Sequence, residues 1–168
     1  MQLTDAKEQF IQSWGTLASN WGINKTMAQV HALLLVSPDP LSAEEIMSEL
    51  NISRGNVNMN VRDLIDWGIV KKIHKSGERK EFFAAEKDIW EVAKQIAKER
   101  KKRELEPVIK VLGQLKTIEG DPEDKHVKAF TDAVSNIQKF AENAESAMDK
   151  MIKADEHWFL SSFMKLLK

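Results

Sequence analysis

The chain has 168 residues, a formal net charge of −1 and no cysteine. This length suits one compact domain, or a small domain with helical extensions. The lack of cysteine excludes disulfides, thiolate nucleophiles and cysteine-based zinc sites, and the near-zero net charge excludes nucleic-acid binding by bulk charge alone.

Segments for membranes and motifs for catalysis are missing from the sequence. No apolar run approaches the roughly 20 residues of a membrane span, and the start lacks a basic segment followed by an apolar signal core. There is no phosphate loop or H-E-x-x-H motif, and the four histidines are scattered without ligand spacing. We therefore expect a soluble cytoplasmic protein without membrane contact, enzymatic activity, metal or cofactor.

Two amphipathic helices are predicted at the start of the chain. The apolar residues of the first recur every three or four positions: Phe10, Trp14, Leu17 and Trp21. Such a stripe is typical of core or dimer packing, and the alternative is that Trp14 and Trp21 wall a ligand cavity. Gly22 ends this helix and Asn24 caps the second. His31 lies in the second helix, and we interpret it as a packed core residue.

The next stretch predicts two short helices joined by a tight turn. Ser42 and Glu45 have the spacing of a capping box, which marks the start of one helix. Ser53 caps the second helix, residues 53–66, and Gly68 ends it in a left-handed conformation. The core stripe of this second helix contains Val57, Val61, Leu64 and Ile65.

The outward residues of helix 53–66 are unusual for a helix surface. The helix carries three asparagines and a glycine, all poor helix formers, and its outward set contains Gly55, Asn56, Asn58, Met59 and Arg62. Asparagine and arginine can read adenine and guanine, methionine can contact a thymine methyl, and glycine lets backbone approach a phosphate. This composition favours DNA reading, and the alternative is a short, partly frayed helix.

The pattern of residues 69–85 predicts a two-stranded hairpin. We call this hairpin the wing, and its basic tip is residues 75–80. From Ser53 to Lys80 there are seven positively charged residues and three negatively charged ones, so positive charge is concentrated here. The sequence therefore predicts a DNA-binding surface with ten candidate contacts: Ser53, Arg54, Gly55, Asn56, Asn58, Met59, Arg62, Lys75, Arg79 and Lys80.

Two long helices are predicted after the wing. The first begins at Asp88, carries the basic run KERKKRE and is kinked or restarted by Pro107. The run suits a solvated helix face or, alternatively, a further phosphate contact. Asp121 caps the second helix, whose predicted packing face includes Phe130, Val134, Ile137, Phe140 and Ala141. The apolar end, residues 157–168, is expected to pack on a partner or on the first helix.

Several motifs occur in the order of a known family: SRGNV, RDL-x-DWG, GERK and AAEKDIW. Residues 10–115 resemble the winged helix-turn-helix regulators of the MarR superfamily, in particular its GbsR-like subset. The resemblance implies a cytoplasmic homodimeric regulator, with the second motif helix in the major groove and the wing on backbone or an adjacent groove. It also implies a pseudo-palindromic operator and an effector of the choline type.

We thus expect a mainly α protein, with a three-helix core and a two-stranded β wing between long terminal dimerisation helices. The predicted regions are residues 1–23 for dimerisation, 24–87 for DNA binding, and 88–168 for a linker and dimerisation. The expected function is sequence-specific repression, and the alternative is a winged helix that contacts proteins. Because a quaternary ammonium favours an aromatic cage, the candidate effector residues are Trp14, Trp21, Trp67 and Trp90.

Overall fold

A computed structural model describes residues 1–115, 117–119, 121 and 123–154. The chain divides into two compact units, Met1–Val92 and Ala93–Lys168. None of the helices in the described ranges combines the length and the apolar character that a membrane span requires. The expectation for residues 157–168 concerns residues outside the described part of the chain.

The first unit contains four helices and a small antiparallel sheet. The helices are α1 Leu3–Asn20, α2 Lys25–Val36, α3 Ala43–Leu50 and α4 Arg54–Asp66. The strands are β1 Leu41–Ser42, β2 Val70–His74 and β3 Glu81–Ala85, in the order β1-β3-β2. The mainly helical winged fold is confirmed. The wing hairpin gains a third strand, because Leu41 and Ser42 pair with Phe83 and Phe82.

Local capping fixes the helix-turn-helix, as the sequence predicts. The Ser42 amide donates to Glu45 Oε2 at 2.7 Å, and the Glu45 amide donates back to Ser42 Oγ at 3.3 Å. Asn51, with φ 51°, ends α3, and the side chain of Ser53 accepts from the Asn56 amide to start α4. Gly68 follows α4 at φ 74°, in the left-handed region that favours glycine.

The core of this unit lies where α2, α3 and α4 meet the sheet. Each of these three helices and the sheet contributes to its most fully buried side chains, which are Val30, Leu33, Leu34, Ile46, Val57, Leu64 and Val70. The predicted stripe of α4 therefore faces the core. His31 is 3% exposed, next to the ring of Trp14, which confirms it as a packed residue.

The first helix packs on α2 through a different face from the predicted stripe. Ile11 and Gly15 are its buried residues, and a Cβ at Gly15 would lie 2.8 Å from Gln29 Cγ, so glycine permits this close approach. Leu17 and Trp21 are 46% and 60% exposed. Core packing was therefore the wrong prediction for these two residues, because the close contact rotates them away from α2, and dimer packing stays a prediction for them.

A lysine after the wing anchors the sheet to α2. Lys87 Nζ donates to three backbone carbonyl oxygens at the end of that helix, at 2.8 Å to Leu34, 2.6 Å to Leu35 and 2.8 Å to Ser37. These carbonyls lack helical partners, and a cation there also complements the negative end of the helix. The contact thus links residues at least 50 positions apart.

Helix α5, Ile89–Arg100, crosses the boundary between the two units, and the remaining elements belong to the second. A π-helical turn, Lys101–Leu105, leads into α6, Glu106–Gln114, and α7 spans Lys125–Lys153. Pro107 lies in the first turn of α6, where its missing N–H costs little, so the predicted restart is confirmed. Asp124 caps α7 through its side chain, so the prediction of Asp121 was wrong by three residues.

Charged residues of the basic run are largely engaged within the second unit. Lys101 Nζ lies 2.7 Å from Asp149 and 3.3 Å from Glu145, and only 15% of its side chain is exposed. Its pKa is raised, chiefly by the hydrogen bond to Asp149. Arg100 pairs with Glu104 one turn later. Because of these contacts, the basic run is a helix surface whose charges are largely paired within the second unit, and it is not an open basic patch.

The packing face of α7 agrees with the prediction at Val134 and Ala141 and differs from it at three larger residues. Its buried residues are Val134, Gln138 and Ala141. The three large residues expected to pack are instead exposed: Phe130 by 42%, Ile137 by 53% and Phe140 by 75%. The apolar residues of α7 cover a stripe wider than the one that α6 and the π-helical turn bury.

Candidate nucleic-acid interface

The exposed side of α4 presents most of the predicted base-reading residues. Arg54, Gly55, Asn58, Met59 and Arg62 are all exposed, and the capping residue Ser53 is exposed just before them. Met59 exposes 55% of its surface, which is high for an apolar side chain in a helix that otherwise packs well. The helix therefore has a core face and a chemically mixed outer face.

The three asparagines of α4 have different roles. Asn60 is only 1% exposed, and its Nδ2 donates to the Asn56 carbonyl oxygen at 2.8 Å and to Asn56 Oδ1 at 2.7 Å. The predicted outward set does not include Asn60, and its burial agrees with that. Asn56 is half-buried, with one acceptor site used, while Asn58 is exposed. Asn58 is thus the asparagine with most freedom to contact a base edge.

The wing tip follows the predicted boundaries, with Gly77 at φ 83° between β2 and β3. Several cations of the wing and its tip have protein partners. Lys71 lies 3.0 Å from Glu86, Lys72 lies 2.7 Å from Glu81, and Lys75 Nζ lies 3.8 Å from the centroid of the Phe82 ring. In the described ranges, by contrast, Arg62, Arg79 and Lys80 form no ion pair and remain exposed.

A cleft of about 340 Å³ separates the start of α4 from the wing, and we call it the wing cleft. Its charged and polar lining comes from three elements and the wing tip: Glu44, Arg54, Asn58, Arg79, Lys80 and Glu81. The structure thus brings together four predicted residues from stretches more than 20 positions apart. Met59, Arg62 and Lys75 do not line this cleft.

Sequence reasoning missed the acidic side of the wing cleft. Glu44, in the first turn of α3, forms an ion pair with Arg54, and both side chains are largely exposed. A hydrogen bond from its own backbone amide lowers the pKa of Glu44, and the charges of Arg54 and Lys80 lower it further. Glu44 is therefore a carboxylate at neutral pH. The ten-residue separation gave no sequence signal for this pair, because the turn between α3 and α4 creates it.

Comparison with known proteins places this geometry in a functional class. Residues 17–88, which contain α2–α4 and the wing, match the family described as sugar-specific transcriptional regulator TrmB. The match covers less than half of the chain, and we refer to residues 17–88 as the regulator domain because of it. The match is to a family of transcriptional regulators, and it is consistent with the predicted winged helix-turn-helix of MarR type.

Two relatives of the regulator domain come from Bacillus subtilis strain 168. The transcriptional repressor GbsR is 27% identical over 88 residues, which are 52% of this chain and 48% of the relative. The transcriptional repressor OpcR is 23% identical over 86 residues, 51% of this chain and 46% of the relative. The chain therefore spans about half the length of the curated relatives it matches. These matches confirm the GbsR-like resemblance.

A solved structure also shares the fold. The crystal structure of a transcriptional regulator aligns with a TM-score of 0.55 at 17% identity, covering 86% of this chain and 99% of that chain. At this identity the alignment concerns the fold alone, and it supports a mainly helical winged architecture.

The four candidate effector tryptophans belong to three parts of the chain. Trp14 is on α1, with ring centroids 5.6 Å from Phe10 and 6.3 Å from His31, and Trp21 follows the end of that helix. Trp67 follows α4, and Trp90 lies in the first turn of α5. Only Trp21 and Trp67 fall inside the regulator domain. None of the four lines the wing cleft.

Proposed function

We propose that the chain is a dimeric, sequence-specific DNA-binding repressor, with α4 in the major groove and the wing on backbone or an adjacent groove. The observation that carries this proposal is the wing cleft, where the exposed start of α4 and the basic wing tip meet on one surface. The regulator-domain match and the two relatives named as repressors support it.

Within this proposal, base reading belongs to the exposed residues of α4. Asn58 can pair with adenine, Met59 can lie against a thymine methyl, and Gly55 lets the helix approach closely. Asn56 contributes through its amide donors, since its Oδ1 already accepts from Asn60. Arg62, Arg79 and Lys80 neutralise phosphates, and Lys75 does so from its position over Phe82. Ser53 orients the helix start.

Exposed apolar residues support the dimer. In the second unit, α6 and the residue that follows it expose three large apolar side chains: Val108 by 48%, Val111 by 52% and Leu115 by 39%. The exposed face of α7 adds to them. In the first unit, Leu17 and Trp21 are exposed as well. A monomer rarely leaves so many large apolar side chains in water. A second copy of the chain would bury them and would place two copies of α4 on a pseudo-palindromic operator.

The dimer is tested by replacing Phe140, the most exposed of these side chains, with aspartate. We expect Phe140→Asp to elute as a monomer in size-exclusion chromatography with light scattering, because a carboxylate opposes burial in an apolar interface. Lys139→Asp, at a neighbouring exposed position, is the control and is expected to remain dimeric. A monomeric wild-type chain at micromolar concentration would contradict this part of the proposal.

An effector completes the proposal. The GbsR-like resemblance indicates a choline-type cation, bound among Trp14, Trp21, Trp67 and Trp90, while the description of the matched family as sugar-specific makes a sugar the second candidate. Titration of tryptophan fluorescence with choline and with glucose or maltose distinguishes them. Saturable quenching by one ligand would identify its class, and no change at millimolar concentrations of either would remove the effector from the proposal.

Selection of bound sequences from random duplex DNA tests the proposed function itself. A dimeric reader is expected to enrich a consensus with two inverted half-sites one helical turn apart, or a multiple of it. A winged helix that contacts proteins instead would bind DNA weakly and enrich no sequence. The two results therefore separate repressor function from the alternative of a protein-interaction module.

A further inference from the structure

Glu44 places a negative charge where the proposed function requires contact with polyanionic DNA. It lies on α3, lines the wing cleft and forms an ion pair with Arg54, the first residue of α4. Its side chain is 45% exposed and that of Arg54 is 63% exposed, so neither is removed from solvent. A carboxylate in this position repels the phosphates of DNA and therefore lowers the affinity for DNA.

The hydrogen bond that Glu44 accepts from its own backbone amide at the start of α3 does not account for its contact with Arg54. The neighbouring Glu45 already closes the capping box with Ser42, so the first turn of α3 has its acidic partner. An exposed ion pair also adds little to folding stability. The contact that remains to be explained is therefore the one with Arg54, which joins the two helices of the motif at their DNA-facing ends.

The geometry of the pair leaves part of Arg54 available. Arg54 Nη2 donates to Glu44 Oε1, and the guanidinium has five N–H groups in a planar fork. The remaining donors are sufficient for a bidentate contact with guanine, which needs two. The contact with Glu44 favours one orientation of the guanidinium and offsets its charge, so Arg54 is attracted less strongly to a phosphate on any sequence.

We propose that Glu44 is a specificity-determining residue, which holds Arg54 for base reading and prevents it from acting as a general phosphate contact. This inference rests on the proposed DNA-binding function. Glu44 is thus a positioning residue that acts through Arg54. It lowers affinity for random DNA more than affinity for the operator, and so widens the difference between them.

The test compares the wild type with Glu44→Gln on the selected duplex and on a random duplex, over a range of salt concentrations. We expect Glu44→Gln to bind random DNA between about three- and tenfold more tightly, with a salt slope steeper by about 0.9, because Arg54 then neutralises one more phosphate. Affinity for the selected duplex should change less, so the ratio of the two affinities falls. Glu49→Gln, which removes an exposed charge from the same helix outside the cleft, is the control.

A double-mutant cycle with Arg54→Gln identifies the mechanism. If Glu44 acts through Arg54, Glu44→Gln should leave random-duplex affinity nearly unchanged when Arg54 is already replaced. If Glu44→Gln still tightens random-duplex binding when Arg54 is replaced, or if Glu49→Gln tightens it equally, the cause is the change in overall charge, and the inference is overturned. If the wild type enriches a sequence but Glu44→Gln alters neither affinity, only this inference fails. If the wild type enriches no sequence, the proposed function fails with it.

Discussion

Acid should destabilise the first unit before its carboxylates titrate, because His31 is buried without its proton. Burial, and to a lesser extent the charge of Lys87, lowers the pKa of His31 from 6.5 to about 4. Its Nε2 is buried with no hydrogen-bond partner in the part of the chain that the structure describes. The unfolded chain therefore binds a proton at His31 near pH 6.5, whereas the folded chain binds it only near pH 4.

The size of this effect follows from the two pKa values. Below pH 6.5 the unfolded state gains protons that the folded state does not, so stability falls as the pH falls through that window. The full difference is about 3 kcal/mol at low pH, of which about 2 kcal/mol is lost between pH 7.5 and pH 5. With a urea slope of about 2 kcal/mol/M, the unfolding midpoint should drop by about 1 M.

The assay is urea unfolding at pH 7.5, 6 and 5, followed by circular dichroism. His31→Leu has similar volume and cannot titrate, so its midpoint should be nearly independent of pH over this range. His74→Leu, at an exposed position, is the control and should keep the pH dependence of the wild type. A midpoint that falls equally in the wild type and His31→Leu would refute the assignment of the acid sensitivity to His31.

Two further predictions concern stability. Lys87→Met should lower the free energy of unfolding by about 1–2 kcal/mol, because the last carbonyls of α2 lose their cap; urea unfolding beside the surface control Lys139→Met checks this, and equal midpoints would contradict it. Asn60→Ala should lower the free energy of unfolding by about 1–3 kcal/mol, because two buried hydrogen bonds are lost, whereas Asn58→Ala should stay within about 0.5 kcal/mol of the wild type. Thermal unfolding checks this, and a larger loss for Asn58→Ala than for Asn60→Ala would show that the two asparagines have been misassigned.

Features encoded by neighbouring residues could be predicted from the sequence. The capping box of Ser42 and Glu45, the cap at Ser53 and the left-handed Gly68 depend on contacts a few residues apart, and all three are present. The core face of α4 followed from its helical period. Asn60 falls three residues after Val57 and directly before Val61, within the core stripe, and it is buried.

Features created by distant contacts could not be predicted in this way. β1 has only two residues and depends on pairing with Phe82 and Phe83. The anchoring of Lys87 on α2 and the pairing of Glu44 with Arg54 both require knowledge of the folded chain. The exposed face of α7 was misassigned because periodicity shows that a stripe is apolar but does not show which side of it a neighbouring helix covers.

The acidic partner of Arg54 changes how the candidate interface is interpreted. Charge counting alone treats every cation near α4 and the wing as equivalent, whereas the structure divides them into two groups. Arg54, Lys71 and Lys72 are paired with carboxylates, and Lys75 lies over an aromatic ring. Arg79 and Lys80 extend from the wing tip without such partners in the described chain, so they are the strongest candidates for phosphate contacts.

The most direct measurement is the affinity of Asn58→Ala and Arg79→Ala for the selected duplex and for a random duplex across a range of salt concentrations. If α4 reads bases and the wing binds phosphates, Asn58→Ala should lose about 1–3 kcal/mol on the selected duplex only, with an unchanged salt slope. Arg79→Ala should weaken both duplexes by similar factors and reduce the salt slope by about 1. Equal losses on both duplexes for Asn58→Ala, or an unchanged salt slope for Arg79→Ala, would contradict the division of roles between α4 and the wing.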